Sequence, residues 1–353
     1  MGRNTGQVKA TANRKKEIYM RELISVIIPA FNAEKTIKKC VESVLEQTYK
    51  EIEVIVIDDG SIDSTFHIVK NIPNERLRVF RTKNQGVSSA RNYGMKMARG
   101  KYIGFVDSDD YIKPQMYEKM VGAIDNVEAV ICNHLNWNNK ECEATMFYEM
   151  GTRSSTQVMK DIFEKKIGGN VWRFLFYKRI IDEYKISFPN LKMSEDMIFI
   201  MDYLNACKSV NVISDKCYVY NQINENSAVK NMGNEKYLED FIEFPSKLKN
   251  IFEKYKKYDQ FKGYIAKEHV ITAMSIRLMK KYKIFKNICK EERFRKALDS
   301  TAVSCIKDQK YRLYYWGLLN NNFWVCNVGY YFNGWKTRII NYNRQHLHKE
   351  LNK

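Results

Sequence analysis

Four consecutive polar residues, Asp107, Ser108, Asp109 and Asp110, come directly after the apolar run Tyr102-Ile103-Gly104-Phe105-Val106. Adjacent carboxylates disfavour one another's ionisation unless a cation or hydrogen-bond donors separate them. Taken alone, such a cluster reads as a solvated turn or a helix N-cap, where Asp and Ser are common. A second acidic pair, Asp58-Asp59, ends the apolar run "IEVIVID" (52–58) and opens "DGSIDST". A third polar break, Pro29-Ala30-Phe31-Asn32, ends the run "ISVII" (24–28). If these clusters meet at one crevice, independent solvated turns no longer explain them. Asp107 and Asp109 would then suit a hard divalent cation, Mn²⁺ or Mg²⁺, held through one or two carboxylates plus substrate phosphates.

The clusters meet only if the runs are parallel strands of one sheet. The elements between them support that reading. After Asn32, which can cap a helix, Ile37, Cys40, Val41, Val44 and Leu45 recur at helical spacing. "LRVFR" (77–81) reads as a third strand, "NQGVSSARNYGMKMARG" (84–100) as a loop and helix, and "YIGFV" as a fourth strand. Strands alternating with helices predict parallel βαβ units in a three-layer αβα arrangement with a mostly parallel, Rossmann-like sheet. Ligands of such sheets bind beyond the carboxyl ends of the strands, which is where all three clusters would emerge. A nicotinamide-binding domain needs G-x-G-x-x-G after a strand, and a nucleotide-binding loop of the Walker type needs its own glycine run. The sequence contains neither at these positions. Phosphates at this edge would need another source of positive charge, which the cation supplies.

The 353 residues suffice for two domains, and 44% hydrophobic content can fill real cores. No apolar run approaches the roughly 18 residues of a membrane span. The start of the chain is basic with no apolar segment behind it, so no secretory signal is expected. The eight cysteines are scattered, without C-x-x-C, and read as reduced, buried thiols. Net charge is +18, unevenly spread: residues 1–22 carry +4, 23–232 carry +1 and 233–353 carry +13. The chain thus divides into a basic disordered tail (1–22), the α/β domain (23–232) and a basic, aromatic-rich helical region (233–353). In the last, Trp316, Trp324 and Trp335 lie among tyrosines, phenylalanines and lysines. Aromatic rings beside cations suit the interface of an anionic membrane; the alternative is an appendage whose aromatics form its own core. A pI of about 9.3 raises nucleic-acid binding, but no binding motif is present and the excess charge avoids the crevice.

The segments "SVIIPAFNAEKTIKKCVESVLEQTYKEIEVIVIDDGSIDST", "NQGVSSARNYGMKMARGKYIGFVDSDD" and "SEDMIF" together resemble family 2 glycosyltransferases of the GT-A fold. The resemblance is dense over residues 23–124 and again over about 170–230, including the run "NENSAVKN" (224–231). It implies a cytoplasmic, inverting transferase that uses a nucleotide-sugar donor, most often a UDP-sugar, and a divalent metal. By position, Pro29, Phe31, Asp58 and Asp59 would surround the base and ribose. Arg91 would face the diphosphate. Asp107, with Ser108 beside it, would contact the ribose or the metal, Asp109 would ligate the metal, and Asp110 would cap the next element. Asp196, in the Glu195-Asp196 pair, would be the catalytic base, while Ser194, Glu195 and Asp196 also suit a simple helix start. Arg173-Phe174 stands where many relatives carry an Asn-Lys pair, so no phosphate or acceptor role is carried over to Arg173. The resemblance further implies a saccharide or lipid-linked acceptor in surface-polysaccharide synthesis, with the enzyme peripheral on the inner face of the plasma membrane. Sugar choice is expected to lie in loops near 132–170 and 222–232. A nucleotidyltransferase could share the sheet and metal site; it would release pyrophosphate instead of transferring a sugar.

Overall fold

The first apolar run forms β1 (Ile24–Ala30), and all seven of its residues are buried. The structure is a computed structural model that describes residues 22–138, 141–143, 150–223, 237–325 and 327. β2 (Ile52–Asp58) pairs with β1 in parallel, β3 (Leu77–Arg81) with β2, and β4 (Tyr102–Phe105) with the other edge of β1. Strands covered on both faces are apolar almost throughout, which is why β1 and β2 appear in the sequence as unbroken runs. The predicted first strand stops before Pro29, whereas β1 continues to Ala30. Its pairing with β4 ends at Ile27, opposite Phe105. Pro29 therefore sits where no neighbour on that side asks for the N–H it lacks.

The remaining strands are β5 (Tyr111–Ile112), β6 (Ala129–Trp137), β7 (Glu141–Glu143), β8 (Gly151–Ser154), β9 (Phe174–Tyr177) and β10 (Ser209–Asn221). The sheet order is β3-β2-β1-β4-β9-β6-β10-β5, with β7 on β6 and β8 on β10. β9 runs antiparallel between β4 and β6. β6 and β10 are parallel to each other, and β5, β7 and β8 are short antiparallel additions. The sheet is thus mixed, with its longest pairings parallel.

Helices α1 (Ile37–Leu45), α2 (Thr65–Lys70), α3 (Val87–Met97), α4 (Met116–Gly122), α5 (Ser155–Phe163), α6 (Lys178–Glu183) and α7 (Glu195–Ala206) accompany the sheet. α1 buries the predicted stripe Ile37, Cys40, Val41, Val44 and Leu45. These residues join Val26 and Ile28 of β1 and Met116, Tyr117 and Met120 of α4 in one core. On the opposite face, a side chain at Gly94 of α3 would collide with Ile27, so glycine sets how closely α3 approaches β1. Phe105 meets Phe199 of α7 edge-on at 6.0 Å. Alternate residues of one strand therefore feed two cores, each fully buried aliphatic side chain contributing about 1.5–3 kcal/mol.

The chain divides into two compact units, Met1–Lys230 and Asn231–Lys353. The second contains α8 (Leu238–Lys254), α9 (Tyr258–Met279), α10 (Tyr282–Ile288), α11 (Glu292–Arg295) and α12 (Gln309–Leu319). Its centre is aromatic: Phe252 and Phe261 lie 4.8 Å apart, and His269 packs between Phe294 and Tyr315. Burial pushes the His269 imidazole down to about 3, so it is a neutral core residue. No helix among the described residues is long and apolar enough to cross a membrane. Cys40, Cys132, Cys207, Cys217 and Cys289 are buried free thiols and Cys305 is an exposed one. The predicted basic tail up to residue 21, the run 224–231, Cys326 and Trp335 lie outside the described residues, as does the Cys142 side chain.

Candidate active site

A cavity of about 540 Å³ opens at the carboxyl ends of β1, β2 and β4, lined among others by Pro29, Phe31 and Asp59. Phe31 is 48% exposed, so its ring serves the cavity and not the core. Gly60 makes the turn after β2 at φ +74°, and a Cβ there would lie 2.8 Å from the Asn84 amide nitrogen. Only glycine brings the two loops this close. The Asp59 carboxylate spans the gap: Oδ1 accepts from the Gln85 amide (3.0 Å) and Oδ2 from the Gly86 amide (2.7 Å). Gly86, at φ +90°, precedes α3. Asp59 thereby fixes the start of the helix that carries Arg91.

Asp58 is placed differently from its neighbour. It is buried, its Oδ2 lies 3.1 Å from Nε of Arg81, and its Oδ1 accepts from the Ser61 amide at 3.3 Å. It is not part of the cavity wall. A strand alternates its side chains, so of two adjacent acids at a strand end one turns to the ligand edge and the other into the fold.

The turn after β4 is clamped from a distant part of the chain. The Asp110 amide donates to the Asp107 carbonyl (3.0 Å). The Asp110 carboxylate accepts from Tyr218 Oη (2.6 Å) and from the Asn221 amide (2.7 Å), both in β10. Tyr218 Oη in turn accepts from the Asp107 amide (3.1 Å), and its ring stacks on Trp172 at 4.1 Å. Burial, with Asp109 and Asp107 alongside, pushes the Asp110 carboxyl well above the ordinary range. The expectation that Asp110 caps the next element is therefore corrected: β5 comes next, and Asp110 is the buried anchor of the turn. With Asp110 withdrawn, Asp107, Ser108 and Asp109 line the cavity.

Arg91 joins this turn to the start of α7. Its Nη2 donates to Asp107 Oδ1 (2.9 Å), and its Nη1 donates to Glu195 Oε1 (2.9 Å) and Asp196 Oδ1 (2.7 Å). The guanidinium lies over the Phe188 ring at 5.2 Å and is 3% exposed. Burial alone would depress its pKa, but Asp196, Asp107 and Glu195 more than offset that, and it is raised. Arg91 is thus positioned by carboxylates and does not stand as an open cation.

Asp196 Oδ2 accepts from the Val171 amide at 3.2 Å. Burial pushes its carboxyl up to about 7, with Arg91 opposing and Glu195 and Asp107 reinforcing the rise. The side chain keeps 18% of its exposure, which leaves it a route to a bound molecule. Ser194, just before the helix, sits at φ +67° and makes no side-chain cap. The carboxylate is therefore held by Arg91 and Val171, not by helix capping. Non-glycine residues at positive φ cost roughly 1 kcal/mol, and this one directs the Glu195-Asp196 pair into the cavity. Arg173 is fully buried, its Nε donating to the Cys132 carbonyl (3.1 Å), and has no place at the site.

Lys192 and Tyr220 also line the cavity, and sequence reasoning did not single them out. Lys192 lies four residues before Asp196, a cation beside an acidic helix start that could have been noticed. Tyr220 is legible only through β10, whose pairing is set by distant residues.

Removing Arg91 should cost about 3 kcal/mol, because a buried network loses the cation its carboxylates share and keeps the carboxylates. Arg91→Met should therefore lower the urea midpoint clearly. Arg91→Met combined with Asp196→Asn and Glu195→Gln should recover part of that loss; no recovery would mean the three groups are not energetically linked.

A layered α/β sheet with acidic strand ends converging on one cavity defines a GT-A architecture. The chain belongs to glycosyltransferase family 2: residues 25–184 match the family described as Glycosyl transferase family 2. It is 32% identical over 213 residues to an uncharacterized glycosyltransferase of Haemophilus influenzae, covering 59% of this chain and 82% of that one. It is 31% identical over 206 residues to the putative glycosyltransferase EpsH of Bacillus subtilis, covering 56% of this chain and 60% of EpsH. The match thus spans less than two thirds of that relative. The crystal structure of Staphylococcus aureus TarS 1–349 superposes with a TM-score of 0.70 at 23% identity, covering 86% of this chain and 89% of that one. The same protein in complex with UDP-GlcNAc gives 0.64 at 20% identity.

Proposed function

We propose that this protein transfers a sugar, with inversion, from a nucleoside-diphosphate sugar to a hydroxyl of a saccharide acceptor. The observation that carries the reading is the single hydrogen-bonded network Asp107–Arg91–Asp196 at the ligand edge of the sheet. Asp196 takes the proton from the acceptor hydroxyl as that oxygen attacks the anomeric carbon. A carboxyl poised near 7 holds that proton without retaining it strongly. The Val171 amide and Arg91 keep the carboxylate oriented for the attack. Pro29, Phe31 and Asp59 surround the base and ribose, and the cation of Arg91 faces the side where the diphosphate departs.

The donor set fits a divalent metal. Among the described residues no group of three or more His, Cys, Asp or Glu side chains forms a ligand cage. Asp109 and Asp107 would supply two hard oxygen ligands and leave the remaining positions to phosphate and water, as Mg²⁺ and Mn²⁺ favour. Bound there, the metal would neutralise charge on the leaving diphosphate. With the leaving group so neutralised, one general base suffices, unlike the paired carboxyls of a glycosidase.

The donor is a UDP-sugar in this reading, supported by the UDP-GlcNAc complex of the similarly folded TarS. The acceptor is a lipid-linked saccharide of surface-polysaccharide synthesis, and the enzyme works in the cytoplasm, peripheral on the inner face of the plasma membrane. A nucleotide-sugar panel with Mn²⁺ tests the core of this. Slow hydrolysis of a UDP-sugar to UDP and free sugar, suppressed by EDTA, is the expected result. Pyrophosphate release from a nucleoside triphosphate and sugar phosphate, with no such hydrolysis, would make the protein a nucleotidyltransferase.

A further inference from the structure

We propose that the end of α9, α10 and the segment after α12 form one face that docks on the surface of an anionic lipid bilayer. The inference rests on the transfer reading only for its purpose, which is to bring the site to a lipid-carried acceptor. Two contacts assemble the face: Arg277 Nε donates to Asn327 Oδ1 (2.8 Å), and Phe285 meets Phe323 edge-on at 6.1 Å. The neighbours of these residues point outward. Leu278 is 65% exposed, Ile284 45% and Trp324 65%. They are large apolar side chains held at the surface while their immediate neighbours Phe285 and Phe323 are buried.

Along the stretch that carries them the charge has one sign, and the acids that follow it, Glu291 and Glu292, pair with Arg293 and Lys296. Residues 269–290 contain Arg277, Lys280, Lys281, Lys283, Lys286 and Lys290 and no Asp or Glu. Residues 320–327, after α12, contain no acid either. Lys281, Lys283, Lys286 and Lys290 are exposed. A protein partner with an acidic surface could answer the lysines, but it would leave an indole and two branched aliphatic side chains to be matched one by one. A bilayer interface takes both at once: Trp sits at headgroup level, Leu and Ile enter the acyl boundary, and lysines meet anionic headgroups. Much of the region's other aromatic content is core, as Tyr315, Phe294 and Phe261 show. The docking function therefore belongs to this face and not to the aromatic richness of the whole unit.

The test is co-sedimentation of the full chain with phosphatidylglycerol–phosphatidylcholine vesicles. The protein should pellet with them, remain in solution with pure phosphatidylcholine, and release in high salt. Each lysine near such a surface is worth about fivefold in binding. The variant K281Q/K283Q/K286Q should thus bind on the order of a hundredfold more weakly, and Trp324→Ala should weaken binding with its salt dependence unchanged. All four positions are exposed, so folding should survive. A control, K165Q/K185Q/K208Q, removes the same charge from exposed positions of the first unit and should bind like wild type. Equal loss in the control, equal binding to neutral vesicles, or a dimer in solution that Trp324→Ala dissociates would each overturn the proposal. Hydrolysis of a UDP-sugar without vesicles reads the other function separately. Intact hydrolysis without pelleting sinks the docking face alone, and pelleting without hydrolysis supports it while sinking the transfer reading.

Discussion

Asp196→Asn should lower turnover by about 10²-fold or more while leaving donor binding nearly unchanged. The replacement keeps size and shape. Its carbonyl oxygen can still accept from Arg91, while its amide group, turned towards the Val171 N–H, costs about 1 kcal/mol locally. What disappears is the ability to take a proton. The wild-type rate should carry the signature of that group. Only the ionised carboxylate acts as base, and its pKa is raised to about 7, so the rate should rise with pH up to about 7 and then level. In the variant that inflection should vanish. Titration of UDP by calorimetry and single-turnover rates across pH separate the two effects. A variant that binds donor poorly yet turns over normally once saturated would move Asp196 from catalysis to the donor site.

Asp109→Ala should reduce transfer on the order of 10³-fold, the loss expected when a charge-neutralising ion no longer holds the leaving diphosphate. The turn should survive. Its clamp runs through the Asp110 carboxylate and through Asn221 Nδ2, which donates to the main-chain oxygen of Asp109 (3.1 Å). Thermal unfolding should therefore be close to wild type, and Mn²⁺-dependent tightening of UDP binding should be lost. Full wild-type activity in excess EDTA, or normal Mn²⁺-dependent UDP binding in the variant, would remove the metal from the mechanism.

The parallel half of the sheet was legible because β1, β2 and β4 are buried on both faces and announce themselves as apolar runs. β9 was not: four residues wedged antiparallel between β4 and β6 carry no periodicity of their own. The same contrast holds at the site. That acids cluster at strand ends could be read directly, and every residue expected to touch donor, metal or acceptor, except Asp58, borders one cavity. Which way each acid turns could not be read. Asp58 pairs with Arg81, Asp59 holds the loop before α3, and Asp110 serves β10, each decided by a partner outside its own motif. Two of the three carboxylate partners of Arg91, Glu195 and Asp196, lie 104 and 105 residues further along, so its place in the network could not be read from its own segment.

The clamp on Asp110 also sets an order of events during synthesis. Its hydroxyl partner, Tyr218, lies 108 residues downstream. At about 5–20 residues per second, roughly 5–20 seconds separate translation of the turn from that of the strand that secures it. Through that interval β1 to β4 can already pair, while Asp110 faces water as an ordinary carboxylate and nothing yet orients Asp107 from β10. The nascent chain thus acquires its sheet before its chemistry, and a ribosome-bound intermediate offers nucleotide no finished place to bind.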